Sequence, residues 1–499
     1  MVKKFYITTP LYYVNASPHI GHSYTTIAAD CLARYMRQAI GKDNVWLLTG
    51  TDEHGQKIER AAQAEGLNPK EFVDATAVQF KELWKALNIF YNDFIRTTEE
   101  RHVKTVQRVL EILFEKGQIY PAKYEGWYCT PCETFWMQTQ LKDLTCPDCS
   151  RSLEKISETN YFFRLSEHQD WLMKYISAHP DFIKPSSRYE EMARFLELNK
   201  LEDLCISRPK ERMGWGIPLP FSPDHVTYVW FDALINYISA VGSFDDKGKY
   251  ESQWWPADLH LIGKDILRQH AVYWPIMLYA LGLELPKTIF AHGWWMIGQD
   301  KMSKSRGNVV NPIDMVNKFG VETYRYFLLR DVPFGLDGSF SEESIIKRFN
   351  GDLANDLGNL VYRTLTMIEK YFDGNIPERG VFVKGKQAEL IEEKINLINK
   401  NGIGLSPSVI TDCNFSAALK EVWEIINMAN KYIEDTKPWN LIKENKTDEL
   451  KGFILVLVDA IREVAIQIHS FMPQTSESII EQLGKDKIKK GKPLFPRIV

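Results

Sequence analysis

The feature that most constrains this chain is an alternation of two patterns. Short β-branched or aromatic runs end in polar residues or glycine, and helical periodicity fills the stretches between them. Residues 4–11 read as a first strand stopped by Pro10. Residues 23–38 read as a helix whose apolar face carries Ile27, Cys31, Leu32, Ala33 and Tyr35, and Asn44–Gly50 reads as a second, buried strand. Helical patterns continue to about residue 117. After a break the alternation resumes with His225–Asp232, Leu259–Asp265 and Thr288–Gly293, each read as a strand. Parallel strands joined by helices are the expected architecture. Ligands of such sheets sit beyond the carboxyl ends of the strands. That singles out Thr51-Asp52-Glu53-His54-Gly55 and the junction Pro18-His19-Ile20-Gly21-His22. Alone, the junction is an ordinary turn with two histidines; the alternative is a phosphate held at a helix N-terminus.

Composition narrows the class. The chain of 499 residues is 44% hydrophobic and 25% charged, as in ordinary globular proteins, and its length suggests roughly three domains. A net charge of −4 provides no global basic field, so a polyanion partner needs a local patch. Pro10 cuts the N-terminal apolar run too short for a secretory segment. The run Phe453–Val458 is followed by Asp459, Arg462 and Glu463, which marks a buried helix and not a membrane span.

Residues 118–225 break the alternation and read as an insertion into the sheet domain. They hold Cys129 and Cys132, thirteen intervening residues, then Cys146 and Cys149. Paired C-x2-C spacing lets two tight turns present four thiolates to one tetrahedral zinc ion. Four sulfur ligands leave no open position, so this zinc is expected to be structural. Cys31, Cys205 and Cys413 are unpaired and read as core residues. Cysteines used this way indicate a reducing compartment, and the expected location is cytoplasmic.

Beyond the last strand, Lys301-Met302-Ser303-Lys304-Ser305-Arg306-Gly307 is a basic loop. It is either an exposed turn or a segment that closes over a triphosphate. From about residue 345 Phe349, Leu353, Leu357, Leu360, Val361 and Ile368 recur at helical spacing, and further helices are read at 384–400, 415–435 and 449–471. The fold class is therefore α/β: a Rossmann-like parallel sheet domain interrupted by a zinc-knuckle insertion and followed by an α-helical bundle. The boundaries are 1–117 and 226–293 for the two halves of the sheet domain, 118–225 for the insertion, 294–345 for the lysine-loop subdomain and 346–499 for the bundle. The tail Lys485–Arg497 carries six basic residues and one acidic residue, either a solvated end or an RNA-facing patch.

His19-Ile20-Gly21-His22 after the first strand and Lys301-Met302-Ser303-Lys304-Ser305 after a late one resemble the two signatures of the class I aminoacyl-tRNA synthetases. Pro10–Tyr13, Gly50–Gly55, Ile206–Arg208, Tyr228–Ala233 and Ile262–Ile266, continued by His270 and Trp274, resemble the methionyl-tRNA synthetase family over essentially the whole chain. The resemblance implies ATP-dependent formation of methionyl-adenylate with release of pyrophosphate, then transfer of methionine to the 3′ end of tRNA(Met). It implies a methionine site formed by Leu11, Tyr13, Trp230, Ala233, Tyr237, Ile266, His270 and Trp274, with Asp52 pairing the substrate ammonium. For Ile266 and Trp274 plain core packing stays open. It implies that His19, His22, Gly263, Asp265 and Lys304 bind ATP, with His19, His22, Lys301, Lys304 and Arg208 around the reacting groups and magnesium accompanying ATP.

In the bundle, Asn359 and Arg363 share a helix face, extended by Asn355, and Trp439 offers a stacking plane. The resemblance makes Asn359, Arg363 and Trp439 an anticodon reader; the alternatives are a solvated helix face and domain packing. Leu234 stands where some members have proline, and one cysteine knuckle is present where some have two. The resemblance leads us to expect a bacterial-type short form, without the further C-terminal domain of longer members, and hence a monomer. Another class I synthetase, cysteinyl or branched-chain, is disfavoured by the aromatic pocket and the short insertion. A synthetase-like RNA-binding scaffold is disfavoured by intact His19, His22, Lys301 and Lys304.

Overall fold

The computed structural model describes residues 4–15, 17–129, 134–136, 141, 143–147, 150–297, 300–301, 310–380, 385–399 and 412–498. The chain forms two compact units. The first gathers residues 1–18, 44–85 and 89–292; the second gathers 19–43, 86–88 and 293–499.

The first unit is built on seven strands: β1 (Phe5–Thr8), β2 (Tyr12–Tyr13), β3 (Val45–Asp52), β4 (Asp93–Arg96), β5 (Ile183–Lys184), β6 (Leu259–Gly263) and β7 (Ile289–His292). Their spatial order is β4-β3-β1-β6-β7-β5, with β2 continuing beside β3 after the chain bends at Pro10. Every pairing is parallel; Ile7 lies between Leu47 on β3 and Leu259 on β6. The short apolar strands suit this place because a parallel sheet is covered on both faces, and all four residues of β1 are buried. The chain runs outward from β1 to β3 and β4 on one side, and to β6 and β7 on the other. Strand order reverses beside β1, and a crevice at the carboxyl ends is expected there.

The structure corrects several boundaries. β1 stops at Thr8, so Leu11 lies in the bend before β2, whereas β3 runs on to Asp52. His225–Asp232 is not a strand of the parallel sheet. Ser222–Thr227 pairs antiparallel with Ser207–Pro209 and Pro218–Leu219, and Val229–Leu234 is a short helix. The β-type side chains of Tyr228–Phe231 mislead because burial overrides propensity: Phe231 and Leu234, three apart on that helix, both enter the unit's main core.

The insertion is a four-stranded antiparallel sheet in which Ile119–Cys129 and Glu154–Phe163 form the central pair. It is not wholly separate from the parallel sheet, because Ile183–Lys184 returns as edge strand β5 beside Ile289 and Phe290.

The second unit contains α1 (Ile20–Ile40) and the helices of the C-terminal region. The helices read from periodicity are present as Asn359–Phe372, Lys386–Asn399, Phe415–Thr436 and Thr447–Ile468. Phe349–Gly358, however, is a π-helical run, and Pro473–Leu483 adds a helix that was not read from the sequence.

Within this unit α1 is fixed by buried polar contacts. Ser23 Oγ lies 2.7 Å from the Tyr324 hydroxyl, and Asp30 Oδ2 accepts from Arg325 Nη2 and from Arg34 Nε, each at 2.8 Å. Arg325 is fully buried and also donates to the carbonyls of Leu87, Ser470 and Phe471. Among the described residues no helix is long and apolar enough to cross a membrane.

Candidate active site

Parallel pairing brings the carboxyl ends of β1, β3 and β6 to one edge of the sheet. Leu11 and Tyr13 follow β1, Asp52 ends β3, and Gly263, Asp265 and Ile266 end or follow β6. Tyr13 is the register partner of Asp52 on β3. Tyr12, its neighbour, stacks on Phe80 at 5.7 Å, and strand alternation sends Tyr13 to the opposite face. Asp52 is 6% exposed, while Asp265 lies in solvent on the turn beyond β6. Asp265 folds back over Gly263, with its Oδ1 2.6 Å from where a Cβ at that position would sit, so a larger residue there would displace the Asp265 carboxylate.

One hydrogen-bond chain organises the aromatic wall. His270 Nδ1 lies 2.9 Å from the Ile266 carbonyl, which only accepts, so Nδ1 carries the proton. Its Nε2 therefore accepts from the Tyr237 hydroxyl, at 2.7 Å. The Tyr6 hydroxyl in turn donates to the Tyr237 carbonyl. Burial holds His270 neutral, with its pKa lowered to about 4. Trp274 is fully buried and donates to His260 Nε2 at 3.2 Å; His260 Nδ1 then donates to Thr8 Oγ1 at 2.7 Å. Burial and the nearby His270 push His260 well below the usual histidine range. Tyr237 and Trp274 belong to the core cluster, with Leu11 and Ile266 half-buried against it. Trp230 and Ala233 lie on the helix Val229–Leu234.

Arg208 lies on the strand Ser207–Pro209 and is 2% exposed. Its guanidinium sits 4.3 Å from the Tyr228 ring centre and 5.3 Å from that of Tyr128, and donates to the Ser207 carbonyl. Burial opposes its charge, but Cys205, Tyr128, Tyr228 and Glu158 outweigh burial and raise its pKa.

The predicted phosphate-binding histidines, the lysines and the anticodon residues lie in the second unit. His19 is the N-cap of α1 and His22 its third residue, and the two cap each other. His19 Nδ1 accepts from the Gly21 amide at 3.1 Å, and His22 Nδ1 accepts from the His19 amide at 3.2 Å. The rings stack at 3.8 Å. A nitrogen that accepts carries no proton, so each neutral ring bears its hydrogen on Nε2, the nitrogen that donates. Side-chain space at Gly21 is already limited by the His19 ring, 3.0 Å from an added Cβ. Lys301 is described only as backbone of the strand Asp300–Lys301, and Lys304 lies outside the described residues.

Asn359 and Arg363 lie one turn apart on the helix Asn359–Phe372, Asn359 exposed and Arg363 half-buried. Asn355 does not continue their row in regular helix: it lies in the π-helical run, and its Oδ1 accepts from Arg497 Nε at 3.1 Å. Trp439 sits on the helix Pro438–Lys443 with 45% of its surface exposed.

In the insertion, Cys129 and Cys146 are buried together with Leu153 in a small cluster flanked by Trp127, Trp136 and Leu141. The turn after Cys146 is closed by the Ser150 amide on the Cys146 carbonyl and the Cys146 amide on the Arg151 carbonyl. Two buried soft donors from separate hairpins in so small a core fit the expected thiolate site. Cys132 and Cys149 lie outside the described residues, and no group of three or more metal-binding side chains occurs among the described ones.

Sequence reading missed a buried polar cluster beside the pocket. Asp232 Oδ2 lies 2.7 Å from His54 Nδ1, and its Oδ1 lies 2.7 Å from His102 Nε2. His102 Nδ1 reaches Ser239 Oγ at 2.9 Å. Glu53, fully buried, accepts from Arg96, Thr98 and Thr51. His54 and Asp232 stand inside stretches that carried the family resemblance. No local spacing links them to His102.

This parallel sheet with polar groups along its carboxyl edge is accompanied by a family match over residues 5–156 and 151–365, to the family described as tRNA synthetases class I (M). The methionine–tRNA ligase of Caldanaerobacter subterraneus subsp. tengcongensis is 49% identical over 517 residues, covering 100% of this chain and 79% of the relative. That of Bacillus subtilis is 44% identical over 525 residues, covering 99% and 78%. The Mycobacterium tuberculosis methionyl-tRNA synthetase in complex with methionyl-adenylate superposes with a TM-score of 0.92 at 37% identity, covering 99% of this chain and 100% of that one. The chain belongs to the methionyl-tRNA synthetase family of the class I tRNA synthetases.

Proposed function

We propose that this chain is a methionine–tRNA ligase that works in two steps at the carboxyl edge of its parallel sheet. Methionine is activated by ATP to methionyl-adenylate with release of pyrophosphate, and the methionyl group then passes to the 3′-terminal ribose hydroxyl of tRNA(Met). The observation that carries this reading is the convergence of Leu11, Tyr13, Asp52 and Ile266 at the switch point, next to the neutral Tyr237–His270 pair.

A thioether offers weak hydrogen bonding, so selection rests on shape and sulfur–aromatic contact, which Tyr13, Trp230, Tyr237, His270 and Trp274 would supply with Leu11, Ala233 and Ile266. Asp52 orients the substrate by pairing its ammonium. The substrate carboxylate is already a nucleophile and needs no general base. It attacks the α-phosphate in line, and catalysis is positioning plus charge stabilisation. His19 and His22 donate from Nε2 to phosphate oxygens, Gly263 and Asp265 hold the adenosine, and Lys304 with Lys301 balances charge on the departing pyrophosphate. Arg208 lies near the reacting groups. Magnesium bound with ATP adds positive charge on the triphosphate.

Asn359, Arg363 and Trp439 read the anticodon by edge hydrogen bonds and stacking. Cys129, Cys132, Cys146 and Cys149 hold one structural zinc. The enzyme acts as a cytoplasmic monomer.

Amino-acid-dependent pyrophosphate exchange across a panel of amino acids tests the activity. Methionine is expected to drive exchange. A response to leucine or cysteine but not to methionine would overturn the reading.

A further inference from the structure

The buried cluster around Asp232 joins three segments that carry part of the amino-acid pocket: the end of β3, the helix with Trp230 and Ala233, and the helix with Tyr237. His54 lies two residues beyond Asp52, past the end of β3. Asp232 lies on the helix Val229–Leu234, two residues after Trp230 and directly before Ala233. Ser239 lies on the helix Asn236–Ser239, two residues after Tyr237. His102, on the helix Glu100–Glu115, bonds both Asp232 and Ser239. Asp232 and His102 are fully buried, and His54 is 6% exposed.

A carboxylate only accepts, so His54 donates from Nδ1 and His102 from Nε2, and these bonds fix both ring orientations. On the other side of His54, the Gly55 amide donates to the Trp215 carbonyl, and the Trp215 ring packs 5.6 Å from the imidazole. The loop that follows Asp52 is thereby held at consecutive positions: Glu53 by Arg96, His54 by Asp232 and Gly55 by Trp215.

We infer that Asp232 is a positioning residue for the amino-acid pocket, acting through His54 and His102 to set the spacing between Asp52, which meets the substrate ammonium, and Trp230, Ala233 and Tyr237, which enclose its side chain. The inference rests on reading that pocket as the methionine site. An apolar side chain such as methionine's has few directional contacts. Its recognition depends on the distance between the charge anchor and the aromatic wall, and two charge-assisted bonds to one carboxylate fix that distance. No group of the cluster needs to touch the substrate.

The test is methionine-dependent pyrophosphate exchange by full-length Asp232→Asn, His102→Ala and His102→Gln. Asp232→Asn is expected to raise KM for methionine about tenfold or more, the size of one lost charge-assisted hydrogen bond. KM for ATP should stay within about twofold. His102→Ala should do the same, and His102→Gln, which keeps a donor toward Asp232, should recover most of the loss. If Asp232→Asn does not fold, the His102 pair decides alone. An unchanged KM for methionine, or equal rises in KM for methionine and ATP in protein with an unaltered circular dichroism spectrum, would overturn the inference. Asp52→Ala separates the two levels. If it too leaves KM for methionine unchanged, the pocket reading fails. If only Asp52→Ala raises it, the pocket stands and the role of Asp232 falls.

Discussion

Two buried carboxylates that sit where several elements meet, Asp232 in the first unit and Asp30 in the second, are neutralised by different chemistry. In the first unit Asp232 accepts from two imidazoles; in the second Asp30 accepts from the guanidinium groups of Arg34 and Arg325. Burial opposes the charge on Asp232, but His54 and His102 outweigh it and hold its carboxyl below the ordinary range. That contribution to stability is present at neutral pH and is lost as pH falls through the lowered value. The arginine hub differs because guanidinium stays charged throughout the range a protein tolerates, and its spare donors tie distant carbonyls together. Imidazole has two charge states near neutrality and only two ring nitrogens, so it suits a local bond between neighbouring elements. The hub holds α1 to the C-terminal helices, whereas the clamp sets spacing inside one pocket.

The largest expected effect breaks the hub. Arg325→Met leaves Asp30 buried and short of a partner, and should destabilise the second unit by about 3–5 kcal/mol. Native-state amide exchange in the helix Thr447–Ile468 would report it; a loss under about 1 kcal/mol would show the hub to be dispensable.

Acid should sharpen the contrast. His270 is neutral in the folded state with its pKa near 4, against an ordinary 6.5. Unfolded chains take up the proton first, so the stability due to its neutrality is full above pH 6.5 and declines toward pH 4, by roughly 3 kcal/mol across that window. His260 acts in the same direction. Protection of sheet amides in β1 and β6, taken relative to the intrinsic exchange rate at each pH, should therefore fall over this range more than that of amides in the helix Thr447–Ile468. An equal fall in both units would count against the assignment.

Trp439→Ala tests the functional side of the division. Loss of a stacking plane costs about 1–3 kcal/mol per base. Aminoacylation should weaken accordingly, while pyrophosphate exchange stays intact; a parallel fall in both would make Trp439 a support of the fold. The smallest effect belongs to Tyr237→Phe, which removes the donor to His270 Nε2. About 1 kcal/mol should appear as a rise in KM for methionine of severalfold. No change would detach this hydrogen bond from substrate binding.

How much of this was legible in the sequence depended on chain distance. Strands β1, β3, β6 and β7 could be read because each is a local apolar run closed by polar residues or glycine, and the helices of the second unit because their periodicity is local; β4, Asp93–Arg96, lies inside a stretch read as helical, because its four residues are too few to show a strand pattern of their own. Edge strand β5 has two residues and no pattern of its own. The helix bearing Trp230 was read as strand because its aromatic and β-branched residues carry β propensity. The clamp was invisible for another reason: its bonds join positions 178 and 130 residues apart. Likewise nothing around Asp30 advertises Arg325, 295 residues away. Individual pocket residues such as Asp52 and His270 could be named through resemblance, but the groups that hold them in place could not.

The mutual capping of His19 and His22 bears on which side chains those two positions accept. Asparagine would place an acceptor where Nδ1 sits and so keep the helix start, yet it ends too soon to present a donor where Nε2 does. Glutamine reaches that far but leaves the amide of the first turn unanswered. Imidazole alone meets both demands, because it carries acceptor and donor on opposite sides of one rigid ring. Exchange at either position would therefore split a double duty, with asparagine variants keeping a well-formed α1 and glutamine variants fraying its first turn.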